Sequence, residues 1–357
     1  MPRSPLDPNL SRRGFLGVGG SAALLCALGG TKTLDQASSR DVDRADAYAA
    51  SLQKPASARA VDAVGPEDAP QPQPGGVKRE YWIAARSLDW DIAPSGQDEW
   101  MRMKVRGRRT FRALVYQQYS AGFGAPVGPA RMPGPTLEGE VGDTIVVHFR
   151  NADEKLNQAV TMHPHGVRYG PQYDGSYMGL FTLAGGFVAP GEEFTYTWEC
   201  TPESVGVWPY HDHGPNHVIN MLRGLFGAVI VREKGAAKPD VEVVHFMHSF
   251  PPSVTKLKRM FHAINGHSYA GNTPIVHARV GQQVAWHVIG SDANFHTFHV
   301  HGHRWREATG TPVDNPSFGP SERVSGHWRE DNPGRWLYHC HVFEHQDAGM
   351  AGWYIVE

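Results

Sequence analysis

Cysteine is scarce: the chain of 357 residues has three, too few for a disulfide-framed scaffold. Cys26 falls in an N-terminal leader, which leaves Cys200 and Cys340. Cys200, in TYTWEC, is expected to be a buried free thiol on a strand. Charge of one sign is also lacking. The formal net charge is −2, which gives no reason to expect nucleic acid or an anionic membrane as partner. Long apolar runs are missing as well. The apolar part of the leader, Phe15 to Gly30, is Gly-rich and short of the ~20 residues a membrane helix needs. Long helical periodicities are absent. What is present is a series of short apolar runs broken by 40 glycines and 27 prolines, the pattern of an all-β protein. The length fits two domains of about 150 residues each once a leader is set aside.

The leader, residues 1–30, contains SRRGFLGVGGSAALLCALGG (11–30), with Arg12 and Arg13 before the apolar stretch. It resembles a bacterial twin-arginine export signal, with Phe15 and Leu16 in the expected places. That resemblance implies a periplasmic or extracellular protein whose mature form has no membrane span. Residues 31–78 are rich in Ala, Asp, Pro and Gln and are expected to be a flexible linker with no packed core.

The remainder contains one pattern twice. PTLEGEVGDTIVVHFRN (135–151) matches TPIVHARVGQQVAWHVIG (273–290), and MHPHGVR (162–168) matches FHVHGHR (298–304). GVWPYHDHG (206–214) matches GRWLYHCHV (334–342), and GAVIV (227–231) matches GWYIV (352–356). A repeat on this scale predicts two copies of one β-domain, 79–236 and 237–357, each a Greek-key sandwich of short strands.

The 20 histidines cluster within these repeats. His163 and His165, His211 and His213, His299 and His301, and His339 and His341 form four HxH pairs in equivalent places; His296 precedes the third. One such pair arises by chance. Four exceed both core packing and a structural zinc site, which wants a closed shell of four ligands. The stretch YHCHVFEHQDAGM (338–350) adds Cys340, His345 and Met350. Imidazole, thiolate and thioether together favour a soft or borderline metal such as copper. Adjacent side chains on a strand point to opposite faces. His339 and His341 therefore belong to one site and Cys340 to another.

With these motifs in hand, the sequence over 79–357 resembles the multicopper oxidases, and within them the two-domain (small) laccases. REYWIAARSLDWDIAPSG (79–96) also resembles the opening of ceruloplasmin-type domains of that superfamily. The resemblance implies tandem cupredoxin sandwiches and four coppers per functional unit: one type 1, one type 2 and two type 3. It implies His296, Cys340, His345 and axial Met350 at type 1, and His163 with His299 at type 2. His165, His211, His213, His301, His339 and His341 would serve type 3. Asp174 and Tyr169 match the small-laccase pattern beside the cluster. It implies for Asp174 a part in proton delivery, although a turn residue before Gly175 is the plainer use; Tyr169 would donate an electron or hold a ligand. In the first repeat Asp212 stands where the second has Cys340, and Val160 where it has His296, so a type 1 site belongs to the second repeat alone. His217 and Met221 sit near the offsets of His345 and Met350, as relics of a lost site or as ordinary side chains. The implied activity is one-electron oxidation of phenolic or aromatic-amine donors coupled to reduction of O2 to water, in a homotrimer with trinuclear sites between subunits. A ferroxidase or cuprous oxidase with the same coppers is the alternative, and a copper nitrite reductase a weaker one.

Overall fold

The computed structural model describes residues 37–59 and 69–357. The twin-arginine segment, with Cys26, lies outside the described residues. No helix among the described residues is long and apolar enough to cross a membrane.

Sixteen strands among the described residues build the four main sheets, two in each half. The first half has β1 (Lys78–Asp91), β2 (Thr110–Tyr119), β3 (Leu137–Glu140), β4 (Thr144–Asn151), β5 (His163–Pro164), β6 (Glu193–Glu199), β7 (Gly206–His211) and β8 (Phe226–Arg232). The second has β9 (Val241–Phe250), β10 (Phe261–Ile264), β11 (Val276–Ala278), β12 (Gln283–Gly290), β13 (His299–Val300), β14 (Arg323–Arg329), β15 (Gly334–His339) and β16 (Ala351–Val356). The sheets run β2-β1-β4-β6 and β3-β8-β7-β5 in the first half, β10-β9-β12-β14 and β11-β16-β15-β13 in the second. Strand order in one half becomes that of the other on adding eight to every label. The repeat is thus a repeat of topology. In each half the first strand lies antiparallel to the second and parallel to the fourth. The fold is all-β, two cupredoxin sandwiches in tandem.

Local sequence explains the layers. β4 reads TIVVHFRN, with alternate polar positions only toward its end, and β9 reads VEVVHFMHSF, buried along most of its length. Central strands covered on both faces take such near-continuous apolar runs. Two histidines of β9 are core residues. Burial pushes His245 and His248 down to about 3. The neutral rings accept hydrogen bonds, His245 from Trp286 Nε1 (3.2 Å) and His248 from the Gly266 N–H (3.0 Å). Each half has its own apolar core. A third cluster joins the halves, with Trp90, Phe111 and Phe226 from the first packed on Phe246, Phe250 and Phe261 from the second. Fully buried aromatics contribute about 2–3 kcal/mol each by area, and Phe226 stacks on Phe246 with centroids 5.0 Å apart.

The expected flexible linker requires correction. Residues Ser39–Ser51 form a helix, α1, and Ala56–Arg59 a short turn of helix, α2. Ser38 caps α1 in a reciprocal box with Asp41. Val42 and Ala45 of α1 pack on Ile219 and Leu222 of α3 (His217–Arg223) and on Val254 of α4 (Pro252–Thr255). Asp46 takes a two-pronged ion pair from buried Arg223, at 2.8 and 2.6 Å. Composition hid this helix: its buried face is mostly alanine, a weak apolar signal. Cys200 is a buried free thiol as expected, but it lies one residue past β6.

Candidate metal centres

The hairpin-like pairings of the two halves place the histidines. β5 meets β7 with His163 opposite His211, and β13 meets β15 with His299 opposite His339. In the first half His163, His165, His211 and His213 form a ring-contact quartet, centroids 5.1–5.8 Å apart for the His163 and His213 contacts. In the second, His299, His301, His339 and His341 do the same at 5.2–5.8 Å. Ligand atoms of His163, His165 and His211 lie within 4.8 Å of one another, as do those of His299, His301 and His339.

Hydrogen bonds aim the rings alike in both halves. His163 Nδ1–H donates to the Asp174 carbonyl (2.6 Å), and His299 Nδ1–H to the Asp314 carbonyl (2.7 Å). His211 Nδ1–H donates to Asp212 O and His339 Nδ1–H to Cys340 O, both at 2.8 Å. A committed Nδ1–H leaves Nε2 as a lone pair. These lone pairs face the Nε2 atoms of His165 and His301, at 3.0 and 3.2 Å. At that separation either a shared proton or a metal ion can join the two nitrogens. His213 Nδ1 is sealed from solvent with no partner. The donors therefore fit metal ions.

Asp174 lies within 3.5 Å of His163 Nδ1 through its carboxylate as well. The His163 hydrogen bond, against burial, holds its carboxyl down at about 2. Tyr169 is half-buried, its ring 6.0 Å from that of His163, and burial, aided by Asp174, pushes its phenol up to about 12.

The other cluster is buried. His296, Cys340 and Met350 are fully enclosed and His345 is 7% exposed. Cys340 Sγ lies 4.0 Å from His296 Nδ1 and 3.7 Å from His345 Nδ1, and accepts from the Thr297 N–H at 3.4 Å. Burial opposes the thiolate, but hydrogen bonds from His296, His345 and the Thr297 and Val342 amides outweigh it and bring Cys340 to about 6. The thiolate is the ligating form. Burial also opposes the imidazolium of His296, yet Asp292 and Cys340 outweigh it and raise His296 to about 9. Positive charge is favoured where these donors converge. Met350 packs in the same apolar cluster as Cys340. His345 is carried on α5 (Phe343–Asp347). β15 ends at His339, so the strand alternation expected through His341 stops early; the consecutive side chains of His339 and Cys340 nonetheless enter different clusters.

In the first half the matching volume holds a polar plug. Asp212, fully buried, accepts from the Thr161 and Gly214 amides and from Asn220 Nδ2, and burial raises it to about 6. His217 stacks on His213 at 4.4 Å, and Met221 is half-buried.

Three residues escaped the sequence argument. Asp292 accepts from His296 Nε2–H at 3.0 Å, across a loop in which no periodicity marks it. Asp314 mirrors Asp174 through its backbone carbonyl. His262 stacks on His345 from a distant strand.

A buried His₂Cys trio with an enclosed methionine, on a cupredoxin sandwich, defines a protein of the blue-copper class. The comparisons narrow this further. Residues 129–236 and 239–357 each match a family model described as multicopper oxidase. The chain belongs to the multicopper oxidase family, and membership implies copper binding and oxidoreductase chemistry. It is similar to a crystal structure of a multicopper oxidase, with a TM-score of 0.63 and 25% identity over 81% of this chain and 92% of that one. It is 26% identical to human ferroxidase HEPHL1, over 79% of this chain and 30% of that protein. It is 31% identical to a probable nitrite reductase-hydroxylamine oxidoreductase fusion protein of Kuenenia stuttgartiensis, over 63% of this chain and 28% of that protein. The chain spans less than a third of the length of these curated relatives.

Proposed function

We propose that the protein is a laccase-type oxidase that takes electrons from phenolic or aromatic-amine donors and passes them to O2. The observation that supports this best is the sharing of consecutive residues between two donor clusters: Cys340 in the buried trio, His339 in the histidine quartet. His296, Cys340, His345 and Met350 would hold type 1 copper, and His163 with His299 type 2. His165, His211, His213, His301, His339 and His341 would hold the type 3 pair. The matched Nδ1 bonds of His163 and His299 to aspartate carbonyls favour pairing those two. Copper bound there would supply one-electron oxidation at the cysteine site and four-electron reduction of O2 at the histidine cluster.

The chain's own residues orient and connect. The Cys340 peptide joins one ligand set to His339 and His341 in the other. Asp174 holds His163 and, as the carboxylate beside the quartet, is assigned proton delivery; Tyr169 packs beside it. Within one chain the quartets are separate clusters among the described residues, and His301 and His341 are exposed. Exposed Phe343 lies against His341 beside the second quartet, and Leu180 and Phe181 are exposed on the segment that follows Asp174. Joining two different faces of one chain makes a heterologous interface, which forms a ring where the rotation closes. In the reading proposed here the ring is a homotrimer, as the small-laccase resemblance implies, with eight-histidine sites shared between neighbours. Twin-arginine export to the periplasm or beyond completes the reading.

A metal oxidase is the second reading, supported by the similarity to ferroxidase HEPHL1 and by exposed Glu344 beside His345. A nitrite reductase would normally place its cysteine site in the first repeat, where this chain has Asp212. Oxygen uptake by copper-loaded protein, with 2,6-dimethoxyphenol against Fe(II), tests the choice. Uptake with the phenol and four coppers per chain are expected. Nitrite consumption without oxygen uptake, or one copper per chain, would overturn the oxidase reading.

A further inference from the structure

The cysteine site has an outer wall built from a distant strand. His262, on β10, stacks on His345 with centroids 4.1 Å and planes 22° apart. Its Nδ1 lies 2.8 Å from Ser249 Oγ. Ser249 also lies close enough to the Asp292 carboxylate to favour its charged form; Oδ1 of that carboxylate accepts from His296 Nε2–H and the Asn294 amide. Asp292 Oδ2 is sealed from solvent and has no hydrogen-bond partner. A buried carboxylate oxygen left without a donor is costly, and a serine hydroxyl has one hydrogen to give. Turning that hydrogen to Asp292 satisfies the carboxylate, and Ser249 Oγ then accepts from His262 Nδ1–H. The tautomer of His262 follows, with the lone pair on Nε2. No described residue hydrogen-bonds that Nε2, and it is not among the sealed atoms.

His262 and His345 together line a cleft of about 540 Å³, with Met260, Asn294 and Glu344. A cleft of that size accommodates a small aromatic molecule. Its remaining wall is largely apolar, with Pro251, Pro252 and Ala348. His262 belongs to none of the three-donor clusters, and a hard cation wants several carboxylates where this cleft offers Glu344 alone.

We propose, resting on the oxidase reading, that His262 is a specificity-determining residue for the reducing substrate. Its Nε2 accepts a hydrogen bond from the O–H or N–H of a phenol or aromatic amine in the cleft and so orients the donor ring toward His345. The Asp292–Ser249 pair fixes the tautomer that makes this possible.

The test compares wild type with His262→Phe, which keeps a flat ring against His345 and removes both nitrogens. Three donors are used with copper-loaded protein: 2,6-dimethoxyphenol, hexacyanoferrate(II) and Fe(II). The phenol is expected to lose about tenfold in kcat/KM, mainly through KM, the worth of one hydrogen bond. Hexacyanoferrate(II), with no hydrogen to give, loses less than about twofold, and the blue band stays in place. Calorimetric binding of the phenol to Cys340→Ser, with and without His262→Phe, should show the same tenfold weakening without turnover. Equal losses for phenol and hexacyanoferrate(II) would overturn the proposal in favour of a role through His345. A loss confined to Fe(II) would mean a cation site. A selective phenol loss in Glu344→Gln but not in His262→Phe would assign the contact to the carboxylate. Wild type that oxidises hexacyanoferrate(II) but not the phenol would sink the proposal together with the phenolic-donor part of the function, and leave a copper oxidase standing. Failure with every donor would overturn both.

Discussion

Asp292→Ala tests whether the cysteine cluster depends on its buried carboxylate. Asp292 is 9% exposed and accepts from His296 Nε2–H at 3.0 Å, and His296 is fully enclosed. Alanine leaves that N–H buried without an acceptor and removes the negative charge that favours a cation at the site. A buried hydrogen bond to a charged group contributes about 1.5–3 kcal/mol. At 1.4 kcal/mol per factor of ten that is about 10–150-fold in affinity, in line with the 10–100-fold typical of residues that orient metal ligands. The assay is anaerobic copper titration against a competing chelator, followed by the thiolate-to-copper absorption band. A 10–100-fold weaker cysteine site is expected, with the histidine clusters loading normally. An affinity within about twofold of wild type, in a variant whose melting is unchanged, would refute the reasoning.

Other outcomes follow from the same structure. Asp46→Ala strands the Arg223 guanidinium, 5% exposed at its side chain; loss of about 3 kcal/mol is expected, seen as early proteolytic cleavage within 37–59. Asp143 accepts from the Val77 and Glu140 amides and pairs with Arg79. Burial opposes its charge, but those bonds outweigh it and hold its pKa below the ordinary value. Its stabilisation is therefore present above the unfolded carboxyl value of about 3.9 and is lost as pH falls through the lower folded value. Asp143→Asn should melt lower than wild type at pH 7, and the gap should close on acidification below about pH 4. Asp174→Asn should lower oxygen turnover by about 10²-fold while the blue band is kept; unchanged turnover would remove Asp174 from proton delivery.

Much of this architecture is legible in the chain. The doubled motifs map strand for strand onto the two sandwiches, because short-range alternation and Gly turns encode both strand and order. The histidine pairs are legible for the same reason: an HxH on a strand end needs only local geometry to present two rings. Asp212 at the position of Cys340 showed which half lacks a cysteine site. The rest depends on contacts between segments far apart in sequence. Nothing near His262 announces that β10 will stack it on His345, and Asp314 acts through a carbonyl that any residue could offer. The helix α1 was missed because small side chains and a single buried ion pair, rather than a strong apolar stripe, dock it.

The central claim is that one cysteine site, in the second repeat, feeds a histidine cluster to which both repeats contribute. Copper content and visible spectrum of wild type and Cys340→Ser test it most directly. Four coppers per chain with a blue band are expected for wild type, and three coppers without the band or turnover for the variant. A Cys340→Ser protein that stays blue and active, or a wild type holding one copper per chain, would contradict it.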